Sequence, residues 1–179
     1  MNFDRKHLSY TTINGKSFEE FKSFLDSLDE EKKTWSFDKQ TFKDEKEWYD
    51  CKDNLNSMFL LYKGKIIGFS NGYVAIKDNG QTHYEISFVV KKEYQGKGLG
   101  TQILLIVERN IRKTPNVVTR DEKGVTISRQ TIVEMVAKHH IDNIASHKAF
   151  LKAGWRKAEI YADGKRMDNP TLMWMIKKL

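Results

Sequence analysis

Cysteine is nearly missing from this chain: Cys51 stands alone among 179 residues, so no intrachain disulfide can form and no cysteine-based metal cluster can assemble. Cys51 itself reads as a small half-buried hydrophobe on a helix rather than as a reactive thiol. Long apolar runs are missing too. None approaches the ~18 residues that a membrane span needs, and the opening MNFDRKHLSY has no apolar stretch of a signal peptide. The expectation is a soluble cytoplasmic protein with no membrane partner. Repeats, low-complexity tracts and domain linkers are also lacking, and the length suits one core. Residues 1–179 are therefore expected to form a single domain.

What is present is enough apolar surface to fold. Hydrophobic residues make up 39% and aromatic ones 12%, with four Trp and ten Phe, far more than a disordered chain carries. The net charge of +7 hides an asymmetry: residues 1–56 hold 10 Lys or Arg against 13 Asp or Glu, a net of −3, whereas residues 57–179 hold 21 against 11, a net of +10. A positive field concentrates any polyanion, whether nucleic acid, phospholipid or phosphorylated cofactor, and composition does not choose among them.

Periodicity orders the chain. Leu8–Ile13 alternates as a first strand, and Ser17-Phe18-Glu19-Glu20 is a capping box that opens a helix with Phe18, Phe21, Leu25 and Leu28 on one face. A second helix is predicted from about Phe42 to Leu55, capped by Thr41. From Ser57 the pattern turns to strands: MFLLY, IIGFSNGYVAI and THYEISFVV, joined at Lys63-Gly64-Lys65 and Asp78-Asn79-Gly80, predict an antiparallel meander. After the glycines at 96–100 comes an apolar helical run, Leu99 to Ile111, stopped by Thr114-Pro115. In the polar stretch 116–130, VVT and VTIS are able to pair as a small hairpin. Ile132–Ala137 reads as a strand, and Asp142 or Asn143 caps a helix running to about Ala153 with Gly154 at its end. Strands near Trp155–Ala162 and Leu172–Lys177 close the chain.

The segment Tyr94-Gln95-Gly96-Lys97-Gly98-Leu99-Gly100-Thr101 falls between a predicted strand and a predicted helix, where several backbone N–H groups can face one anion. Glycine allows the close approach and the dihedrals such a cradle needs. The helix N-terminus adds orphan donors and the positive end of its dipole, and Lys97 adds a full charge. A pyrophosphate suits this chemistry. The spacing excludes two familiar alternatives. Thr101 stands where a dinucleotide fold's G-x-G-x-x-G needs its last glycine, and no Ser or Thr follows Lys97 as a P-loop requires. A tight glycine turn that binds nothing is the bland alternative.

These residues resemble the GNAT superfamily, whose acyl-CoA loop reads Q/R-x-x-G-x-G/A; Gln95-Gly96-Lys97-Gly98-Leu99-Gly100 matches throughout. In that family an acidic residue precedes the loop by ten positions, and here Glu85 does so in EISFVVKKEYQGKGLG. A second family segment, N-x-x-A-x-x-x-Y-x-K-x-G-F, is similar to the stretch Asn143 to Trp155, with Ser146 at the small position and Phe150 in place of the tyrosine. The resemblance spans residues 57–179 well and the first two helices loosely. It implies an α/β fold of α+β type, with a mixed, largely antiparallel central sheet of about six to seven strands flanked by about four helices.

The resemblance also implies an N-acetyltransferase that moves an acetyl group from acetyl-CoA to a primary amine of a small molecule, peptide or protein by direct attack in a ternary complex. Phe88, Val89 and Val90 would then pair their backbone with the pantetheine arm, an N–H at Val89 or Val90 would face the thioester oxygen, and the loop from Gln95 to Thr101 would hold the pyrophosphate. Asn143, Ser146 and Phe150 would lie against the arm. An alkylamine is mostly protonated at neutral pH, so a base must take a proton before attack. Glu85 is the candidate, against the alternative of an ordinary polar strand residue. With Phe150 in place of tyrosine, the general acid is open among His147, His139, His140, Tyr84, Tyr161 and solvent. No metal is expected.

Two other classes compete. A nucleic-acid-binding module has only the basic charge in its favour, with no zinc finger, aromatic RNA motif or helix-turn-helix pattern, so nucleic acid is disfavoured as a partner. A non-catalytic acyl-CoA-binding domain is kept open by Phe150. The acceptor amine and a homodimeric state are both left open.

Overall fold

The structure is a computed structural model; it describes residues 3–28, 44–50, 57–76, 81–120, 126–158 and 171–179. Among them run eight strands and four α-helices: β1 Leu8–Thr12, α1 Phe18–Asp26, α2 Glu45–Asp50, β2 Met58–Tyr62, β3 Lys65–Ile76, β4 Thr82–Val90, α3 Leu99–Lys113, β5 Asn116–Arg120, β6 Thr126–His140, α4 Ile144–Lys152, β7 Arg156–Lys157 and β8 Leu172–Lys178. The strand order is β1-β2-β3-β4-β6-β8-β7, with β5 pairing β6 off this path. β4 and β6 run parallel, whereas β1–β2, β2–β3, β6–β8 and β7–β8 are antiparallel. This is the mixed, mostly antiparallel sheet with flanking helices that the sequence leads one to expect. None of the described helices is long and apolar enough to cross a membrane.

The chain divides into two compact units, residues 1–73 with 87–103, and residues 74–86 with 104–179. In the first, the capping box forms as read: the Ser17 hydroxyl accepts from the Glu20 N–H, and the Glu20 carboxylate accepts from the Ser17 N–H. The helix thus fixed turns Phe21, Phe24 and Leu25 inward onto a cluster with Ile13, Phe59, Leu61, Ile66 and Phe69. Phe21 is fully buried and its ring meets those of Phe59 and Phe69 at 5.4 and 5.2 Å. Deleting such a ring costs about 3–5 kcal/mol.

In the second unit β6 is the central element. It is far longer than the predicted Ile132–Ala137, because β5 pairs its first half antiparallel from Thr126 to Thr131 while β4 and β8 flank its second half. The hairpin suggested by VVT and VTIS is this β5–β6 pair. Burial alternates from Thr131 to Glu134 and again from Ala137 to His140, with Val133 exposed, and is unbroken only from Glu134 to Ala137. The strand expected at Trp155–Ala162 is Arg156–Lys157, and residues 159–162 lie outside the described residues. Of the predicted second helix, Glu45–Asp50 is described, while Thr41, Cys51 and Leu55 lie outside.

Candidate functional site

β4 ends at Val90, a single turn of 3-10 helix spans Lys92–Tyr94, and α3 starts at Leu99. The glycine segment therefore occupies the strand-to-helix position predicted for it. Gly96 and Gly98 have φ of 73° and 77°, the left-handed region in which a Cβ is strained. No atom lies within 4 Å of where a Cβ on Gly96 would stand. The glycine there answers a backbone requirement rather than crowding.

The loop is held at several points. Gln95 Nε2 donates to the Val90 carbonyl at 2.9 Å, tying the segment to the end of β4. Leu99, 2% exposed, anchors the start of α3 in the core, and Gly100 and Thr101 follow in its first turn, half-buried. Lys97 Nζ donates to the Glu93 carbonyl at 2.7 Å and lies 5.9 and 6.0 Å from the ring centres of Phe3 and Tyr94. A residue that motif reading missed joins them: Arg5 Nη2 donates to the Lys97 carbonyl at 3.0 Å. Ninety-two positions of sequence separate the two, and no motif links them.

Along β4, Phe88 and Val89 are half-buried and Val90 is buried; Val89 packs on the cluster around Phe21 and Phe69. Glu85 is mostly buried, its side chain 14% exposed, and its carboxylate stands 3.5 Å from Lys138 Nζ on the parallel neighbour β6. Lys138 in turn lies 5.5 Å from the Trp174 ring.

At the start of α4, the N-cap of the two offered is Asn143: its Oδ1 accepts from the Ser146 N–H at 3.0 Å, so two residues assigned to the arm by resemblance meet each other. Phe150 is buried, 2% exposed, and stacks on His139 with ring centres 5.8 Å apart and planes 15° from parallel; Trp155 packs at 5.0 Å. His139 Nδ1 lies 2.7 Å from the His140 carbonyl, which can only accept, so that nitrogen carries the proton. Burial pushes the His139 pKa down. His139 Nε2 and His147 Nδ1 are buried with no hydrogen-bond partner among the described residues, and the two rings are 5.4 Å apart. Tyr84 is 1% exposed, and burial pushes its phenol up. His140 lies at the surface, 3.4 Å from Asp142, and Tyr161 is outside the described residues.

A mixed, largely antiparallel sheet whose central strand runs into a left-handed glycine loop and the start of a helix defines a GNAT-like α/β fold. The chain belongs to the acetyltransferase (GNAT) family, whose sequence profile matches residues 22–120, a span that includes Glu85 and the whole loop. The segment from Asn143 to Trp155 lies beyond that match. Solved structures agree on the fold. The GNAT domain of S. lividans PAT is 16% identical with a TM-score of 0.64, covering 96% of this chain and 89% of that one. Arabidopsis thaliana Naa50, in complex with a bisubstrate analogue, CoA-Ac-MVNAL, is 14% identical with a TM-score of 0.61, covering 97% and 99%. The aminoglycoside acetyltransferase AAC(6')-Ib, in complex with coenzyme A and kanamycin, is 15% identical with a TM-score of 0.60, covering 96% and 93%. No curated protein sequence matches the chain.

Proposed function

We propose that the chain transfers an acetyl group from acetyl-CoA to a primary amine of a small molecule, peptide or protein, with residues 1–179 working as one acyltransferase domain. The observation that carries this reading is the loop: two left-handed glycines and the N-terminus of a 15-residue helix, all directly after β4. Donors of that kind suit a pyrophosphate. Gly96, Lys97, Gly98, Leu99, Gly100 and Thr101 would supply the backbone N–H groups, and Gln95 would hold the loop to the strand. The acetyl-CoA, when bound, supplies an activated acyl group as a thioester. Phe88, Val89 and Val90 would align its arm by backbone pairing, with the N–H of Val89 or Val90 facing the acyl oxygen.

Glu85 is the proton acceptor in this reading. It lies on the strand that would carry the arm, and it already faces one ammonium, that of Lys138. An ionised carboxylate is able to take the proton that a cationic amine must lose before it attacks. Among the fold relatives, Naa50 is complexed with a peptide-derived analogue and AAC(6')-Ib with kanamycin, so both acceptor classes stay in the proposal.

The direct test is calorimetry with acetyl-CoA on the wild type and on Gly98→Asp, which forces a side chain onto a left-handed φ of 77° and so distorts the loop that should meet phosphate. Micromolar binding by the wild type and none by a folded variant is the expected pair of results; equal affinities would remove the reading. One observation favours a second reading, a binding domain without turnover: Phe150 holds the position where the family pattern has tyrosine, and it is packed against His139. A panel of amines, polyamines, aminoglycosides and peptides assayed for free CoA separates the two. Release with any of them favours transfer.

A further inference from the structure

The segment Phe3–His7 is fastened to the glycine loop from a distant part of the sequence. Phe3 stacks on Tyr62 with ring centres 5.0 Å apart and meets the edge of Tyr94 at 6.1 Å. The Asp4 N–H donates to the Tyr62 hydroxyl at 3.4 Å, the Asp4 carboxylate caps the short 3-10 helix Arg5–His7 through the Lys6 N–H, and the Lys63 N–H donates to the His7 carbonyl at 3.1 Å. So anchored, the segment delivers Arg5 to the Lys97 carbonyl, and Arg5 Nη2 comes within 3.5 Å of where a Cβ on Gly98 would stand.

In a trans peptide the carbonyl and the following N–H point to opposite sides of the chain, and no peptide bond described here is cis. The Arg5 guanidinium thus sits behind the Lys97–Gly98 peptide, and the Gly98 N–H points away from it. A hydrogen bond from a charged donor to one end of a peptide is stronger than a neutral one and polarises the group at the other end. It also fixes the plane of a peptide whose glycine neighbour would otherwise leave it free to turn. Lys97 cannot do this for its own carbonyl, and its ammonium is already bonded to Glu93.

We propose that Arg5 is a positioning residue for the cofactor's pyrophosphate: it pins and polarises the Lys97–Gly98 peptide so that the Gly98 N–H is held ready as a donor. The inference rests on the loop being the pyrophosphate cradle. It adds that the cradle is completed by a segment outside the strand–loop–helix motif.

Calorimetry of Arg5→Ala, Arg5→Lys and Gly98→Asp with acetyl-CoA and with 3'-dephospho-CoA tests it. Arg5→Ala should weaken both ligands by the same factor, about tenfold, with the unliganded Tm unchanged; Arg5→Lys, which keeps a charged donor, should recover part of the loss. Wild-type affinity in Arg5→Ala while Gly98→Asp fails to bind would overturn the role of Arg5 and leave the cradle standing. Normal binding by Gly98→Asp would overturn the cradle itself. A loss that disappears with 3'-dephospho-CoA would mean that Arg5 reads the 3'-phosphate directly, and a lowered unliganded Tm with no recovery by Lys would reduce it to a fold contact; either overturns the proposal.

Discussion

The Glu85 carboxylate stands 3.5 Å from the Lys138 ammonium across the parallel pair β4–β6. Because the Lys138 side chain is 38% exposed, the ion pair adds little to stability, under about 1 kcal/mol, and breaking it should leave the fold intact. Glu85→Gln is therefore a clean probe of proton acceptance. It should lower the transfer rate ~10²–10⁴-fold near neutral pH with acetyl-CoA affinity unchanged. Raising the pH should restore part of the rate, since more of the amine is then already neutral. Steady-state rates from pH 6 to about 10 check this; wild-type turnover throughout would make Glu85 a structural residue.

Lys97 invites the opposite expectation from its prominence in the motif. It is one half-exposed charge beside several backbone donors, already bonded to the Glu93 carbonyl. Lys97→Ala should weaken acetyl-CoA only a few-fold, corresponding to about 0.5–1 kcal/mol. Complete loss of binding in calorimetry would show that the side chain, and not the backbone cradle, carries the affinity.

A buried cluster in the second unit sets a stability prediction. Lys177 Nζ lies 2.7 Å from Glu108 and 2.5 Å from the Ala153 carbonyl, and Glu108 also takes Arg112 at 2.9 Å. Side-chain exposures of 17% for Lys177 and 11% for Glu108 leave little water to take a partner's place. Glu108→Gln should cost ~2–3 kcal/mol, because it strips Lys177 of its counter-charge where solvation is poor. Lys177→Met should cost less, about 1 kcal/mol, since Arg112 still pairs with Glu108. Urea denaturation of the two variants measures the difference, and equal losses would contradict this ranking.

His139 gives a pH dependence with a definite sign. Burial, with smaller contributions from His147 and His140, holds its folded pKa below the ordinary 6.5. Between the two values the unfolded chain binds more protons than the folded one, so stability is full above about 6.5 and falls as pH drops towards the folded pKa. His139→Gln keeps an amide donor for the His140 carbonyl and removes the titration. Its Tm should fall less than that of the wild type between pH 7.5 and about 5.5; parallel curves would show that His139 does not titrate differently on folding.

Local order set much of what could be read in advance. The Ser17–Glu20 capping box, the helix from Leu99, the loop between β4 and α3 and the β5–β6 hairpin all rest on neighbours within a few residues, where spacing and side-chain chemistry are sufficient. β6 was harder. Its length comes from pairing with β5, β4 and β8, partners that lie elsewhere in the chain and that local spacing does not reveal.

The sequence by itself determined the glycine loop and its place between a strand and a helix, because glycine dihedrals and a helix N-terminus are properties of a short stretch of chain. Only the tertiary structure decided which distant groups meet: Arg5 on the Lys97 carbonyl, Lys138 beside Glu85 and His139 against Phe150. Those contacts join residues 92, 53 and 11 positions apart. Their partners are chosen by strand order and side-chain packing, which no local spacing encodes.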